Sequence, residues 1–210
     1  MKSKTKALDS GSEPHGAEGR HVRADARRNI DALLQAALDV FGTSGVDAPV
    51  REIAEKAEVG IGTVYRHFPK RSDLIAAVFR HEIDACADAA PLLAAKHEPA
   101  EALTRWVQQY AAFIATKRRL APALQSGDPA FESLSAYFLQ RLKPALQTLL
   151  ESAAAAGEIR TDVDSKDLLS AIGGLCMSTH DDRPTHARRM VALLIDGLRY
   201  GKNRSRNKPS

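Results

Sequence analysis

The chain has 210 residues, of which 44% are hydrophobic and only 5% aromatic, and it carries a formal net charge of +4. This composition supports a sizeable core built mainly from alanine and leucine, which favours helices over strands. No stretch approaches the roughly 20 apolar residues of a membrane span, and no apolar segment follows the lysines at the start, so we expect a cytoplasmic protein without a secretory signal or a membrane partner.

The N-terminal segment, residues 1–22, mixes Ser, Gly, Glu, Pro and Lys without periodicity, which is typical of a disordered arm. A first helix is predicted from about Asp25 to Phe41, because apolar residues recur there at spacings of three and four. The sequence GTSGVDAP then ends this helix with two glycines and a proline.

Two short helices follow. Pro49 at an early helical position predicts a second helix that runs to Ala57, and the turn EVG leads to a third helix from Ile61 to Phe68. Apolar residues of the third helix cluster on one arc, and polar or small residues occupy the opposite one. Pro69 ends this helix, and Ser72 is the predicted cap of the next. Two short helices joined by a short turn and braced by a preceding helix indicate a helix-turn-helix unit over residues 23–70.

The rest of the chain is predicted to be helical throughout, with helices at 71–90, 99–118, 130–156, 164–179 and 184–200. We therefore expect an all-α protein in which residues 71–200 form a larger C-terminal helical domain. The tail 201–210 is predicted to be disordered, and its four basic residues carry the whole net charge, so residues 1–200 sum to zero. Cys86 and Cys176 lie apart in apolar patterns, which favours small buried hydrophobes over a disulfide or a metal site.

The third helix has the properties of a helix that reads DNA. No Asp or Glu occurs from Val59 to Ser72, and small residues at the entering end let the backbone come close to phosphates. Arg51, at the start of the second helix, is long enough to reach a guanine edge or a phosphate. The candidate DNA-binding residues are Arg51, Gly60, Ile61, Gly62, Thr63, Tyr65, Arg66, His67 and Lys70. A solvated basic face would explain each residue alone, but the joint pattern argues against that alternative.

The stretch VREIAEKAEVGIGTVYRHFPKRSDL closely resembles the DNA-binding signature of TetR-family transcriptional regulators, over about residues 25 to 75. The residues in register are Ile53, Ala54, Ala57, Val59, Gly62, Thr63, Val64, Tyr65, His67, Phe68 and Leu74. The resemblance implies DNA contacts by Thr63, Tyr65, His67 and Lys70, and it places Ile61 at the variable specificity position. It also implies a regulator of transcription, with repression as the family default.

Two positions depart from that signature. Glu58 replaces the usual turn glycine, which predicts modest strain if the turn needs a positive φ, and it places an anion near the DNA. Gly60 replaces the usual serine, so a helix cap and a phosphate contact are lost. We expect weaker backbone anchoring, partly recovered by Arg51, Arg66 and the arginines of the N-terminal arm.

The last two helices are predicted to pair with a second copy of the chain. A single helix-turn-helix makes too few contacts for tight specific binding, and such proteins bind palindromic sites as dimers. Both KDLLSAIGGLCM and RMVALLIDGLRY are apolar on more than one side, so each must bury one side outside its own core. The resemblance favours a homodimer over two helices buried within a monomer. The candidate interface residues are Leu169, Ile172, Gly173, Cys176, Met190, Leu194 and Leu198.

The middle helices carry most of the remaining aromatic residues. From the residues alone, core packing and an apolar pocket for a small molecule explain this stripe equally well. The resemblance implies an effector-binding C-terminal domain and therefore favours the pocket, with the candidate lining residues Phe79, Ile83, Cys86, Trp106, Tyr110, Phe113, Phe138 and Leu142. An effector that fits only a splayed dimer would release the DNA, with Pro91 and the 71–90 helix as the lever.

Two alternatives stay open. A metal-dependent enzyme would use His180, Asp181, Asp182 and His186, but Pro184 interrupts this group and no HExxH or nucleotide-binding motif is present. We therefore expect neither an enzyme nor a cofactor, and interpret THDDRPTH as a helix-capping turn. A DNA-binding protein without an effector would instead show binding that depends on salt and not on DNA sequence.

Overall fold

The computed structural model describes residues 15–177 and 184–200, and this part of the chain contains eight α-helices, one 3-10 turn and no strand. The helices are α1 (His15–Ser44), α2 (Val50–Lys56), α3 (Ile61–His67), α4 (Arg71–Ala94), α5 (Pro99–Leu124), α6 (Leu134–Ala155), α7 (Ser165–Met177) and α8 (Pro184–Tyr200). The predicted all-α fold class is confirmed. None of these helices is long and apolar enough to cross a membrane.

The first helix begins earlier than predicted. α1 begins at His15, inside the segment that was expected to be a disordered arm, and not near Asp25. Apolar spacing marks only the part of a helix that faces a core, whereas residues 15–24 contain Ala, Glu and Arg, which favour helix without such spacing. The start of the arm and the basic tail 201–210 lie outside the described residues.

Prolines end fewer helices than predicted. α4 runs through Pro91 to Ala94, and α5 continues past Pro122 to Leu124. Near the C-terminal end of a helix a proline removes only one backbone N–H from the ladder, and Pro91 is exposed, so α4 continues through it. Pro91 therefore lies at the end of α4 farthest from α3, and the role of α4 and Pro91 as a lever stays a prediction.

A separate 3-10 turn, Pro129–Phe131, precedes α6, which begins at Leu134 and not at residue 130. The Ala130 N–H donates to the Asp128 carboxylate at 2.9 Å, so Asp128 caps this turn. Proline at the first position fixes φ for such a turn without the loss of a backbone bond.

One continuous hydrophobic core joins all eight helices. Near its centre Trp106 is fully buried, and its Nε1–H donates to the Cys86 carbonyl at 2.8 Å. The Trp106 ring stacks on Tyr110 with centroids 5.6 Å apart, and the Tyr110 hydroxyl donates to the Leu169 carbonyl at 3.2 Å. Buried aromatic side chains with satisfied polar atoms therefore tie α4, α5 and α7 together.

Arg71 joins the start of α4 to the helix-turn-helix unit. Its Nε–H donates to the Val46 carbonyl at 2.6 Å, and its Nη2 donates to the Ala48 carbonyl. Both carbonyls belong to the loop between α1 and α2. The first turn of α4 is capped by Asp73, which accepts the Lys70 N–H at 3.1 Å, so Ser72 is not the cap that the sequence suggested.

Polar contacts join the middle of α4 to α6. The Asp84 carboxylate accepts the Tyr137 hydroxyl at 2.7 Å and the Arg141 Nε–H at 2.6 Å, and Arg141 also reaches Asp88 at 2.8 Å. α4 is therefore fixed to the helix-turn-helix unit at its start and to the C-terminal helices along its length.

Replacement of Arg71 by Met should lower the free energy of unfolding by about 1–3 kcal/mol, because two loop carbonyls lose their charged donor. Urea denaturation measures this change. Arg66→Met is the matched control, since Arg66 is exposed on α3, and it should shift the unfolding free energy by no more than about 0.5 kcal/mol. Equal losses in the two variants would contradict the role of Arg71.

Candidate functional site

α3 is attached to the protein along a narrow side. Val64 is buried and Phe68, just after the helix, is half-buried, whereas Ile61 is 45% exposed and Tyr65 is 51% exposed. The predicted apolar arc placed all four residues together, but a seven-residue helix has room for only one or two anchoring side chains. Ile61 and Tyr65 therefore face outward with the polar residues of α3.

The candidate DNA-binding residues lie at or near the surface of the helix-turn-helix unit. Thr63 is half-buried and the other eight are exposed. Arg66 and His67 form the last turn of α3, and Lys70 stands immediately before α4. We call this set the reading face: Arg51, Gly60, Ile61, Gly62, Thr63, Tyr65, Arg66, His67 and Lys70.

The turn between α2 and α3 has the backbone geometry of a Schellman motif. The Val59 N–H donates to the Ala54 carbonyl at 3.0 Å, and the Glu58 N–H donates to the Glu55 carbonyl at 3.1 Å. This geometry needs a left-handed residue, and Glu58 adopts φ 55°, the only non-glycine residue with positive φ among those described. The expected strain at Glu58 is therefore present, because a side chain in this region costs about 1 kcal/mol or more relative to glycine.

Gly60 is the N-cap of α3, with φ −67° and ψ 141°, and no side chain caps the helix. A Cβ built at this position would meet only the Thr63 hydroxyl, at 4.0 Å. A serine would therefore fit at position 60, and the cap is lost because glycine has no side-chain oxygen to accept a hydrogen bond.

Arg51 points to solvent from the first turn of α2 and pairs with Glu55 at 2.9 Å. Both side chains are exposed, and such a pair contributes at most about 1 kcal/mol, so little opposes a move of the guanidinium to another anion. Nearby acids are also engaged: Glu52 accepts from Ser44 at 2.8 Å, and Lys56 lies 3.3 Å from Asp39.

The C-terminal helices border a cavity of about 440 Å³ that lies between α4, α5, α6 and α7 and is open to the surface. Its lining residues are Phe79, Ala121, Leu124, Gln125, Phe131, Leu134, Ser135, Phe138, Leu139 and Met177. A second cavity of about 270 Å³ lies beside it, and its lining residues are Tyr110, Ile114, Phe138, Leu139, Leu169, Ser170, Gly173, Gly174 and Met177. Both cavities lie among the middle helices, and an effector pocket at this place stays a prediction.

The predicted lining residues divide into two groups. Phe79, Tyr110 and Phe138 line one or both cavities. The others, Ile83, Cys86, Trp106, Phe113 and Leu142, are buried in the core and line neither. Periodicity identifies a buried side of a helix but not whether that side meets another side chain or an empty space.

Both cysteines are buried and free, as predicted. Burial raises the pKa of the Cys86 thiol to about 12, with a smaller contribution from Glu82. The thiol is therefore protonated near neutral pH and packs as a small hydrophobe.

The loop between α5 and α6 connects the cavity wall to the start of α4. Phe131 lines the larger cavity. Asp128 accepts the Ala130 N–H at 2.9 Å, and this bond, with the nearby Ser72 hydroxyl and the charge of Lys70, lowers the pKa of its carboxyl. Sequence analysis missed this contact, because residues 72 and 128 are brought together only by the packing of α4 against the loop.

The predicted interface residues of α7 and α8 lie mostly in the core. Leu169, Ile172, Cys176 and Leu198 are buried within the chain, and only Gly173, Met190 and Leu194 are half-buried. The interface prediction failed because each helix has two apolar sides, and the predicted residues were taken from both of them. On α8 the inner side is Val191, Ile195 and Leu198, and the outer side is Met190, Leu193, Leu194 and Gly197.

The outer side of α8 is the one free to meet another molecule. Leu193 is 62% exposed, and Gly197 is exposed one turn further along. On α7 the exposed Ala171, Gly174 and Met177 follow the same helical spacing. We call these residues the outer face of α7 and α8. The sequence could have revealed it, because Met190, Leu193, Leu194 and Gly197 are spaced at three and four residues.

His180, Asp181 and Asp182, three members of the alternative metal group, lie outside the described residues. His186 is exposed near the start of α8. Among the residues that the structure describes, no three His, Cys, Asp or Glu side chains are grouped as a metal ion would need.

Family models match both halves of the chain. Residues 33–78 match the model described as bacterial regulatory proteins of the tetR family, and residues 98–200 match the C-terminal domain of SbtR-like transcriptional regulators. The first match contains α2, α3 and the start of α4, and the second contains the outer face of α7 and α8 and every residue that lines the cavities except Phe79.

Solved structures resemble the whole fold. A TetR transcriptional regulator from Streptomyces coelicolor is 38% identical, with a TM-score of 0.70, and the match covers 80% of this chain and 97% of that one. A TetR transcription regulatory protein from Mycobacterium vanbaalenii is 35% identical, with a TM-score of 0.65, and the match covers 85% and 99%.

An HTH-type transcriptional regulator from Staphylococcus aureus is 34% identical over 64 residues, which is 30% of this chain. The match spans only 35% of the length of that relative. The near-complete coverage of the two solved structures at 35% identity or more is therefore the stronger finding. The chain belongs to the TetR family of transcriptional regulators, with a DNA-binding helix-turn-helix in its N-terminal part.

Proposed function

We propose that this regulator is a repressor, that it binds a palindromic operator as a homodimer, and that a small molecule in its C-terminal domain releases it. The observation that carries the proposal is the reading face. There an aliphatic and an aromatic side chain, Ile61 and Tyr65, are about half exposed beside the cations of Arg66 and Lys70. A narrow helix with this combination suits the major groove and its flanking phosphates.

Different residues of the reading face contact the DNA bases and the DNA backbone. Ile61 presents only methyl and methylene groups, so it discriminates by contact with a thymine methyl and by exclusion of other bases. The Tyr65 hydroxyl and the Lys70 ammonium contact phosphates, which fix the position of the protein without a preference for sequence. Arg51 reaches a guanine edge or a phosphate after it leaves Glu55.

A homodimer is supported by the outer face of α7 and α8. Leu193 and its half-buried neighbours Met190 and Leu194 form an apolar stripe, and glycines on both helices allow a close approach of backbones. The same stripe on a second copy, related by a two-fold axis, would cover it. Two reading faces held about one helical turn of DNA apart then read two half-sites.

Coupling between effector and DNA is supported by the α5–α6 loop. A molecule in the larger cavity would contact Phe131, and Asp128 of the same loop lies beside Ser72 in the first turn of α4. Displacement of Phe131 would therefore shift Asp128 relative to the segment that carries Lys70. Release requires that the molecule bind the displaced form more tightly than the form bound to DNA.

The first test is the sequence of random-pool DNA that the protein retains. The unaltered chain should select a palindrome, and Ile61→Ala should change the preferred base at one position of each half-site by about 1–3 kcal/mol. Lys70→Ala should weaken binding of all sequences alike and lower the salt slope by about one for each protomer. Tyr65→Phe, which removes only the neutral hydroxyl, should also weaken binding of all sequences alike but should leave the salt slope unchanged. Retention of all sequences alike by the unaltered chain would favour a DNA-binding protein without operator preference.

Glu58 offers a test of the departures from the family signature. Glu58→Gly removes both the left-handed strain and the charge, so it should raise the free energy of unfolding by about 1 kcal/mol and tighten DNA binding. Glu58→Gln removes only the charge, so it should tighten binding without the gain in stability. Thermal denaturation and gel-shift titration measure the two effects, and equal stability of both variants would refute the strain.

The outer face of α7 and α8 is tested by Leu193→Glu. A carboxylate at this position should disrupt dimers, since an unpaired charge would be buried between two copies. Sedimentation should then show monomers, and affinity for a palindrome should fall to that for a single half-site. Leu92→Glu is the matched control, because Leu92 is also 62% exposed but lies at the end of α4. Dimers that persist in Leu193→Glu would place the interface elsewhere.

A further inference from the structure

We propose that the effector site has two compartments in tandem and that it takes an elongated, uncharged and mostly apolar molecule. This inference rests on the proposed effector function and names the class of molecule that the site accepts. The first compartment is the cavity of about 440 Å³, and the second is the cavity of about 270 Å³.

The two compartments follow each other along α5. Tyr110 and Ile114 line the second, whereas Ala121, Leu124 and Gln125 line the first. Seven residues of α-helix separate 114 from 121, a rise of about 10 Å. The combined site is therefore long and narrow, and a molecule that occupies both compartments lies along the α5 axis.

Three residues form the partition between the compartments, because Phe138, Leu139 and Met177 line both. All three are apolar, and Leu139 and Met177 are 40% and 42% exposed. Each of these side chains turns about χ1 and χ2, and methionine adapts easily to a new shape. An apolar chain that passes between them would cover exposed hydrophobic surface and needs no break in the backbone.

The described part of the lining favours an uncharged ligand. No Lys, Arg, His, Asp or Glu is among the described residues that line either compartment. An ion in such surroundings would lose its hydration without a counter-charge. The polar groups are few: the Gln125 carboxamide and the Ser135 hydroxyl in the first compartment, and the Ser170 hydroxyl in the second. They suit one or two uncharged donors or acceptors on an apolar body.

The fluorescence of a tryptophan beside the second compartment can report such binding. Trp106 is the only tryptophan, and its ring stacks on Tyr110, which lines the second compartment. A molecule that reaches the second compartment should change the Trp106 fluorescence. Calorimetry reports binding to either compartment.

The experiment uses straight-chain primary alcohols from hexanol to dodecanol, with dodecanoate as the charged counterpart of the longest. Affinity should rise by about fourfold for each added methylene up to dodecanol, because the growing chain passes the partition and buries apolar area. The fluorescence change should appear only with the longer alcohols. Dodecanoate should bind at least tenfold more weakly than dodecanol.

Two variants fill one compartment each. A Cβ at Gly173 would lie 3.8 Å from the Tyr110 hydroxyl, an ordinary contact, so Gly173→Leu should fold and occupy the second compartment. It should leave hexanol affinity within twofold and reduce dodecanol affinity at least tenfold. Ser135→Leu fills the first compartment from the exposed side of α6 and should weaken every alcohol.

Three results would overturn the inference. Dodecanol could bind no more tightly than hexanol, dodecanoate could bind as tightly as dodecanol, or Gly173→Leu could reduce the affinity for all alcohols equally. If Gly173→Leu does not fold, the alcohol affinities of the unaltered chain still test the inference. Selection of an operator without alcohol binding would refute this inference alone. Alcohol binding without operator selection would refute the proposed regulation and leave the site in place.

Discussion

The bonds from Arg71 to the loop between α1 and α2 fix where α4 begins relative to α3. Because α4 is a continuous helix that is also joined to α6 through Asp84 and Arg141, its position connects the reading face to the walls of both cavities. A single hydrophobic core runs through both parts of the chain, so the helix-turn-helix cannot tilt without a change in the packing of α4. This helix and the loop that touches its first turn are therefore a direct connection between the two parts.

Exposed large hydrophobic side chains mark the proposed surfaces. Six such residues occur among those described: Ile61, Tyr65, Leu92, Leu139, Met177 and Leu193. Ile61 and Tyr65 belong to the reading face, Leu139 and Met177 line both cavities, and Met177 and Leu193 belong to the outer face of α7 and α8. Single exposed apolar residues are common in proteins, but their grouping on these surfaces is informative. Only Leu92, at the end of α4, lies on none of these surfaces.

The turn before α3 shows a compromise between local geometry and charge. Its backbone needs a left-handed residue, which glycine adopts without strain, yet Glu58 stands there and adds an anion beside the reading face. Gly60 in turn provides no side-chain cap where serine would. Both departures weaken non-specific attraction to phosphate, which leaves a larger share of the binding to contacts such as those of Ile61.

The sequence predicts those features of the structure that depend on residues close together in the chain. Helix positions, the turn at Glu58 and the exposed residues of α3 follow from glycine, proline, caps and charge within a few residues of each other. The tertiary structure alone decided which apolar side of each helix is covered: Leu169 and Leu198 lie in the core, whereas Leu193 faces outward. It also decided that Trp106 fills the core while Phe138 lines both cavities. The physical reason is that periodicity records how apolar a side is, whereas burial depends on which distant element packs against it.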